Sequence, residues 1–315
     1  MFSIAIPAIK AIYFEEALQS ILNQTYKNYE IIICDYSKTN DIFNIYSKYQ
    51  NDERIRYYKL DSKGIIEDWN RCIDYATKEY FILFSDDDIY EKNFLETVEK
   101  YIKKYPQVSI FNVRARIIDD FGKQKQICAN AAEYENVLDF IWHRFKGYRF
   151  QYAADFIVKT EKLKQIGGFI PFPDAWYSDD ATWFTLANEN GIVHIPDILF
   201  NYRDSRATIS QTGKLVNKII GLNQFEIWIE RFLQNKKITD EKEISIYNDI
   251  LKIKNYRFVT IVGNILSIGI ENKKYFGFVI IILRWIKTKK YSKHVNLQSL
   301  FWALALYYKK LRNSQ

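Results

Sequence analysis

Apolar runs and amphipathic stretches alternate along the first hundred residues. Residues 2–7 (Phe-Ser-Ile-Ala-Ile-Pro) read as a short strand stopping at Pro7, and over 15–23 Ala17, Leu18, Ile21 and Leu22 share one helical face. A β-branched run over 29–34 ends at Asp35 and predicts a buried strand. A helix over 41–49, a strand over 55–60, a helix over 65–76 and an apolar strand over 80–84 follow, the last leading into Ser85-Asp86-Asp87-Asp88. A helix over 93–104 and a strand over 108–113 continue the series. Such alternation predicts an α/β fold with a mostly parallel, Rossmann-type sheet wrapped by helices.

From 115 to 130 the pattern turns polar and antiparallel-like. Gly167-Gly168 with Pro171 and Pro173 predict a loop, 180–190 a helix stopped by Gly191, and 192–202 short strands broken by Pro196. Beyond 211 the chain reads as a helical extension. Its most apolar stretches, 258–270, 275–286 and 297–308, each run for about a dozen residues, where a spanning helix needs about 20. Such helices either lie in a membrane interface or pack on the rest of the protein, and the pattern leaves both open.

Charge sharpens the division. The 315 residues carry a net +7, but residues 1–210 hold 26 Lys/Arg and 31 Asp/Glu, a net −5, while residues 211–315 hold 19 and 7, a net +12. Ten basic residues and no acidic one follow Glu271. The asymmetry predicts two functional parts, with 258–315 a candidate for peripheral association with an anionic membrane. A nucleic-acid partner is not expected: neither a helix-turn-helix nor an aromatic-basic strand motif is present. Cys34, Cys72 and Cys128 are too few and too scattered for a disulfide framework or a zinc site, and read as small core residues in a reducing compartment. Residues 1–10 show no secretory leader pattern, so the expected location is cytoplasmic, peripheral on the inner face of the cell membrane if the basic part docks there.

The chemistry is carried by acids. Asp86, Asp87 and Asp88 follow directly on an apolar strand, hence at its carboxyl end, where open α/β sheets bind ligands. Packed carboxylates repel one another unless a cation is present, and a hard divalent ion such as Mg²⁺ or Mn²⁺ takes oxygen ligands and bridges to phosphates. A solvated turn capping the next helix is the plainer reading; Asp35, at a second strand end, weighs against it. Ser178-Asp179-Asp180 forms the second constellation. It is either a helix cap or a source of a general base, and a like charge beside an aspartate would raise its pKa and suit it to that task.

At these residues the sequence resembles family 2 inverting glycosyltransferases of the GT-A fold, of the bacterial surface-polysaccharide type, over about residues 2–210. Phe2 to Pro7 is similar to the family's first strand, and residues 15–26 (EEALQSILNQTY) to its first helix. Cys34-Asp35-Tyr36-Ser37-Lys38-Thr39 sits where the family has a two-aspartate nucleotide turn; Trp69-Asn70, Ala76 and Glu79-Tyr80-Phe81 resemble the segment before its DxD-type motif, which Asp86-Asp87-Asp88 matches. Gly167-Gly168-Phe169 and Asp179-Asp180 resemble its Gly-Gly-Phe and Glu-Asp elements, and Tyr202-Arg203 with Ser210 its closing stretch. Tyr36 stands where the family has a second aspartate, and Ser205 where many relatives carry a metal-binding His; His143, His194 and His294 read as ordinary surface or core residues.

The resemblance implies a catalytic domain over 1–210, with a nucleotide-sugar half about 1–114 and an acceptor half about 115–210, followed by the basic helical region 211–315. It implies a nucleotide-sugar donor, a UDP-sugar, contacted by Pro7, Ala8, Asp35, Asp61, Trp69, Asn70, Asp86 and Asp87. A divalent metal, Mn²⁺ or Mg²⁺, would sit on Asp86, Asp87 and Asp88. Asp180 is the implied catalytic base, preferred by a small margin over Asp179, and the implied acceptor is a glycan or lipid-linked hydroxyl. A catalytically degenerate nucleotide-sugar-binding assembly protein is the alternative, resting on Tyr36 and Ser205; a nucleotidyltransferase shares the same sheet-and-acid logic.

Overall fold

A computed structural model describes residues 1–205, 213–238, 240–270 and 276–313; Ser210 and the start of the helix expected at 275 lie outside these. The chain divides into two units. Met1–Phe140, Tyr148–Ile170 and Thr182–Ser205 make the first, and Ile141–Gly147, Pro171–Ala181 and residues 206–315 the second.

The first unit is built on a ten-stranded mixed sheet flanked by helices. β1 (Phe2–Ala8), β2 (Tyr29–Asp35), β3 (Ile55–Lys59) and β4 (Tyr80–Leu83) form its parallel half in the order β3-β2-β1-β4. All seven residues of β2 and all four of β4 are buried, as strands covered on both faces must be. Helices α1 (Phe14–Leu22), α2 (Asp41–Tyr46) and α3 (Ile65–Asp74) are the crossovers; α1 buries Ala17, Leu18 and Ile21 of the face read from its spacing and adds Phe14, while Leu22 is only half-buried. β1 runs one residue past the expected stop at Pro7. Its ladder with β4 ends at Ala5 opposite Leu83, so on that side the missing Pro7 N–H breaks no bond.

The sheet continues past β4 with β5 (Ile89–Tyr90), α4 (Phe94–Lys104), β6 (Ile110–Ile118), β7 (Gln124–Ile127), β8 (Tyr134–Glu135) and α5 (Val137–Lys146). β9 (Phe156–Lys159) inserts antiparallel between β4 and β6, followed by α6 (Thr160–Gln165), α7 (Ser178–Leu186) and β10 (Ile192–Arg203). β10 is one strand rather than several. Pro196 falls within a register shift between Ile195 and Ile198, a bulge that absorbs the missing donor.

In the second unit, α8 (Leu215–Gln234), α9 (Glu241–Ser267), α10 (Gly277–Thr288) and α11 (Leu297–Asn313) pack as helices. Phe145, Phe225 and Phe258 meet edge to face at its centre. α9 and α11 approach closely at Gly263, where an added Cβ would lie 2.5 Å from the Trp302 ring. Among the described residues no helix is long and apolar enough to cross a membrane.

Candidate active site

Parallel register fixes where the acids of the first unit go. Ala8 lies opposite Asp35, and Ala5 opposite Leu83, so β1, β2 and β4 end at the same edge of the sheet. Pro7, Ala8, Asp35 and the Asp86–Asp88 run are thereby gathered at the strands' carboxyl ends.

The three aspartates of the run have separate duties. Asp86 Oδ2 accepts from the backbone N–H groups of Ile9 and Lys10, each at 2.7 Å, and so ties the end of β4 to the loop leaving β1. Burial pushes its carboxyl above the usual range, and the two amides pull the other way. Asp87 accepts from the Ser85 hydroxyl. Asp88, only 3% exposed, accepts from Arg203 N at 2.8 Å; burial, then the neighbouring Asp87 charge, pushes it well up.

Arg203 is the hub of this cluster. Its fully buried guanidinium donates to the carbonyls of Asp87 (2.8 Å), Asp119 and Asp120 (3.2 Å each) and to Glu16 Oε2 (2.6 Å), while lying 4.2 Å from the centre of the Tyr13 ring. Arg203→Met is expected to cost about 3 kcal/mol, read from the urea midpoint, because three carbonyls lose their donor. Arg203→Lys should recover little of it, since one ammonium cannot span the positions a planar fork reaches.

Asp35 is fully buried and engaged within its own turn. Oδ1 accepts from Ser37 N at 2.8 Å, and Oδ2 from Tyr57 Oη at 2.6 Å and Lys59 Nζ at 3.1 Å. Lys59 also reaches the Ser37 and Thr39 carbonyls, so Asp35 and Lys59 together shape the turn. Tyr36 is buried, its hydroxyl donating to the Asp68 carbonyl. Asp61 is exposed, and its carbonyl accepts from Arg71. Trp69 and Asn70 receive the Gly-Gly-Phe turn: Trp69 meets Phe169 edge to face at 5.1 Å, and Asn70 Oδ1 accepts from Phe169 N at 2.8 Å. Gly168 is required there, with φ +86° and only 2.4 Å between an added Cβ and Asn70 Oδ1.

Asp179 and Asp180 belong to the second unit, in the first turn of α7. Just before them, Asp174, Ala175 and Tyr177 all have positive φ (52°, 56° and 68°), strain of the kind stored at functional sites. Asp180 is 2% exposed, and both of its oxygens accept from Arg144, at 2.6 Å from Nε and 3.0 Å from Nη2. Asp179 is half-buried, and its Oδ1 accepts from Asp180 N at 2.9 Å. Burial, then the charge of Asp180, pushes the Asp179 carboxyl up to about 7. Sequence reasoning missed Arg144 and the duty of Arg203. For Arg144 the signal was available: Val137, Leu138, Phe140, Ile141 and Phe145 repeat at helical spacing, and the Asn136 side chain accepts from Asp139 N at the helix start.

Among the described residues, no group of three or more His, Cys, Asp or Glu side chains is arranged to hold a metal ion. A divalent ion bound together with a diphosphate needs only one or two carboxylates, its remaining ligands being phosphate and water oxygens. The adjacent carboxylates Asp87 and Asp88, with the latter already burdened by burial and like charge, fit that donor chemistry.

Comparison with known proteins agrees with this architecture. Residues 3–173 match the profile of glycosyl transferase family 2. An uncharacterized glycosyltransferase of Rickettsia conorii, RC0461, is 32% identical over 90% of this chain. The GalNAc(5)-diNAcBac-PP-undecaprenol beta-1,3-glucosyltransferase of Campylobacter jejuni is 23% identical over 76% of this chain and 78% of its own. The chain spans about half the length of the first curated relatives it matches, 51% of the R. conorii protein. Among solved structures, S. aureus TarS in complex with UDP-GlcNAc shares the fold at a TM-score of 0.66 and 14% identity, with 100% of this chain and 92% of that one covered.

Proposed function

We propose that this chain, which belongs to glycosyl transferase family 2, moves a sugar from a nucleoside diphosphate donor, a UDP-sugar, onto the hydroxyl of a glycan or lipid-linked acceptor with inversion at the anomeric carbon. The observation that carries this is the common edge of β1, β2 and β4, where Asp35 and Asp86–Asp88 gather at strand carboxyl ends. Two similar proteins support the reading: the TarS structure holds UDP-GlcNAc, and the C. jejuni relative is named for an undecaprenol-linked substrate.

The geometry of the acid pair favours Asp179 over Asp180 as the base. Both Asp180 oxygens are committed to Arg144, whereas half-buried Asp179 is tuned near the pH at which a base works best. In the proposed step the acceptor oxygen bonds to the anomeric carbon as the bond to the diphosphate oxygen breaks, and Asp179 takes the hydroxyl proton. A single displacement leaves the configuration inverted. Burial raises Asp179 most, and Asp180, held by Arg144, adds a like charge that raises it further. Asp87 and Asp88 would hold a Mn²⁺ or Mg²⁺ ion, which when bound neutralises charge on the leaving diphosphate.

The pH dependence follows from the raised carboxyl. Below about 7 Asp179 carries a proton and cannot accept another, so kcat/KM should rise tenfold per pH unit up to about 7 and then level off. A profile flat from 5 to 8 would remove Asp179 from the role. Surface-polysaccharide or lipopolysaccharide assembly suits such a reaction, in the cytoplasm, with residues 258–315 resting on an anionic membrane.

A further inference from the structure

We propose that the α10–α11 end of the second unit is a membrane-docking site: its apolar outer stripes enter the interface, and a lysine-lined cavity beside them takes the phosphate of an anionic phospholipid head group. This rests on the peripheral association proposed above and assigns it to particular residues.

The apolar stripes come first. Val279, Leu283 and Ile286 on α10, and Leu297, Phe301 and Tyr308 on α11, recur at helical spacing and are each 49–62% exposed, Phe301 66%. α10 buries only Gly277, Ile281 and Thr288, so the protein covers one side of a helix that is apolar on several. At 12 and 17 residues these helices can lie in an interface but not cross a bilayer.

The cavity lies between α8 and the α10–α11 connection, about 340 Å³, lined by Glu226 and Glu230 on one side and Lys289, Lys290 and Lys293 on the other. Its two acids are already neutralised from within the unit. Glu226 meets Lys293 Nζ and His294 Nε2, both at 2.9 Å, which hold its carboxyl at about 2 although burial alone would raise it. Glu230 pairs with Lys254. Lys289 and Lys290 make no ion pair among the described residues and rest over the Trp285 and Tyr291 rings. Two exposed ammonium groups beside exposed apolar helices match a surface that is anionic at the head group and apolar beneath it.

Other occupants fit less well. A second copy of this chain would bring two all-basic stretches together, ten cations on each with no acid after Glu271. A free phosphate or a nucleic acid would leave the apolar stripes in water.

The test is sedimentation of the full chain with vesicles of phosphatidylcholine alone or mixed with phosphatidylglycerol. The wild type should pellet with the mixed vesicles only, less so as salt rises. Lys289→Gln/Lys290→Gln should lower the partition coefficient about 30-fold, and Leu283→Ser/Phe301→Ser should also weaken binding. Lys242→Gln/Lys252→Gln, an equal charge change on α9, should cost much less, and nucleotide release in solution should be unchanged in all three. A wild type that ignores both vesicles overturns peripheral association altogether. Full binding by Lys289→Gln/Lys290→Gln overturns this site while leaving that association standing, as does a lipid-independent dimer that Leu283→Ser/Phe301→Ser dissolves.

Discussion

Asp179→Asn should lower sugar transfer about a thousandfold, the usual range for loss of a general base, while nucleoside diphosphate binding is retained. The Asn Oδ1 can still accept from Asp180 N, so the helix start keeps its bond. Stability should move the other way. The carboxyl titrates at about 7 in the folded chain against an ordinary 3.8, so between those values the folded protein holds a proton that the unfolded one releases. Its contribution to stability therefore falls as pH rises through that window. The Asn variant should melt higher than wild type at about pH 8 and differ little at about pH 4. Asp180→Asn acts through another route, since it removes the buried carboxylate charge that two Arg144 nitrogens bind, and should melt lower at both. A thousandfold loss in Asp180→Asn with near-normal turnover in Asp179→Asn would return the base to Asp180.

The second large effect concerns Asp87 and Asp88. Chelation of divalent ions should reduce transfer at least about a hundredfold, reversibly on adding Mn²⁺, because several kcal/mol of charge stabilisation on the diphosphate is lost. Asp88→Asn should match that loss without rescue by added metal. Asp86→Asn should behave differently. Its partners are two backbone amides of the loop after β1, so the expected result is weaker nucleotide binding and a lower melting temperature, with metal dependence kept. Full activity in the presence of a chelator would contradict the metal role.

The parallel half of the sheet was readable because strands buried on both faces are continuous apolar runs: β2 and β4 announce themselves without their neighbours. The Asp86–Asp88 run was readable by position alone. What escaped depends on distance along the chain. β9 is an apolar Phe-Ile-Val-Lys run, but it pairs with β4 and β6 from far away, and four residues carry no sign of where they insert. α9 runs 27 residues, but only its second half is apolar enough to stand out, since from Glu241 to Arg257 only Ile250 and Lys254 are buried. Within the site, the acids were found and their partners were not. Arg144 is 36 residues from Asp180, and Arg203 is 115 from Asp88; nothing local in either stretch specifies the pairing.

The most direct measurement is release of free nucleoside diphosphate from a panel of nucleotide sugars with Mn²⁺, comparing wild type with Asp179→Asn and Asp88→Asn. A sugar-transfer role for these residues requires that wild type consume one donor, a UDP-sugar, and that both variants fall to a small fraction of that rate, with Asp179→Asn still binding UDP. Binding of UDP by wild type with no release from any donor, whatever acceptor is offered, would contradict it.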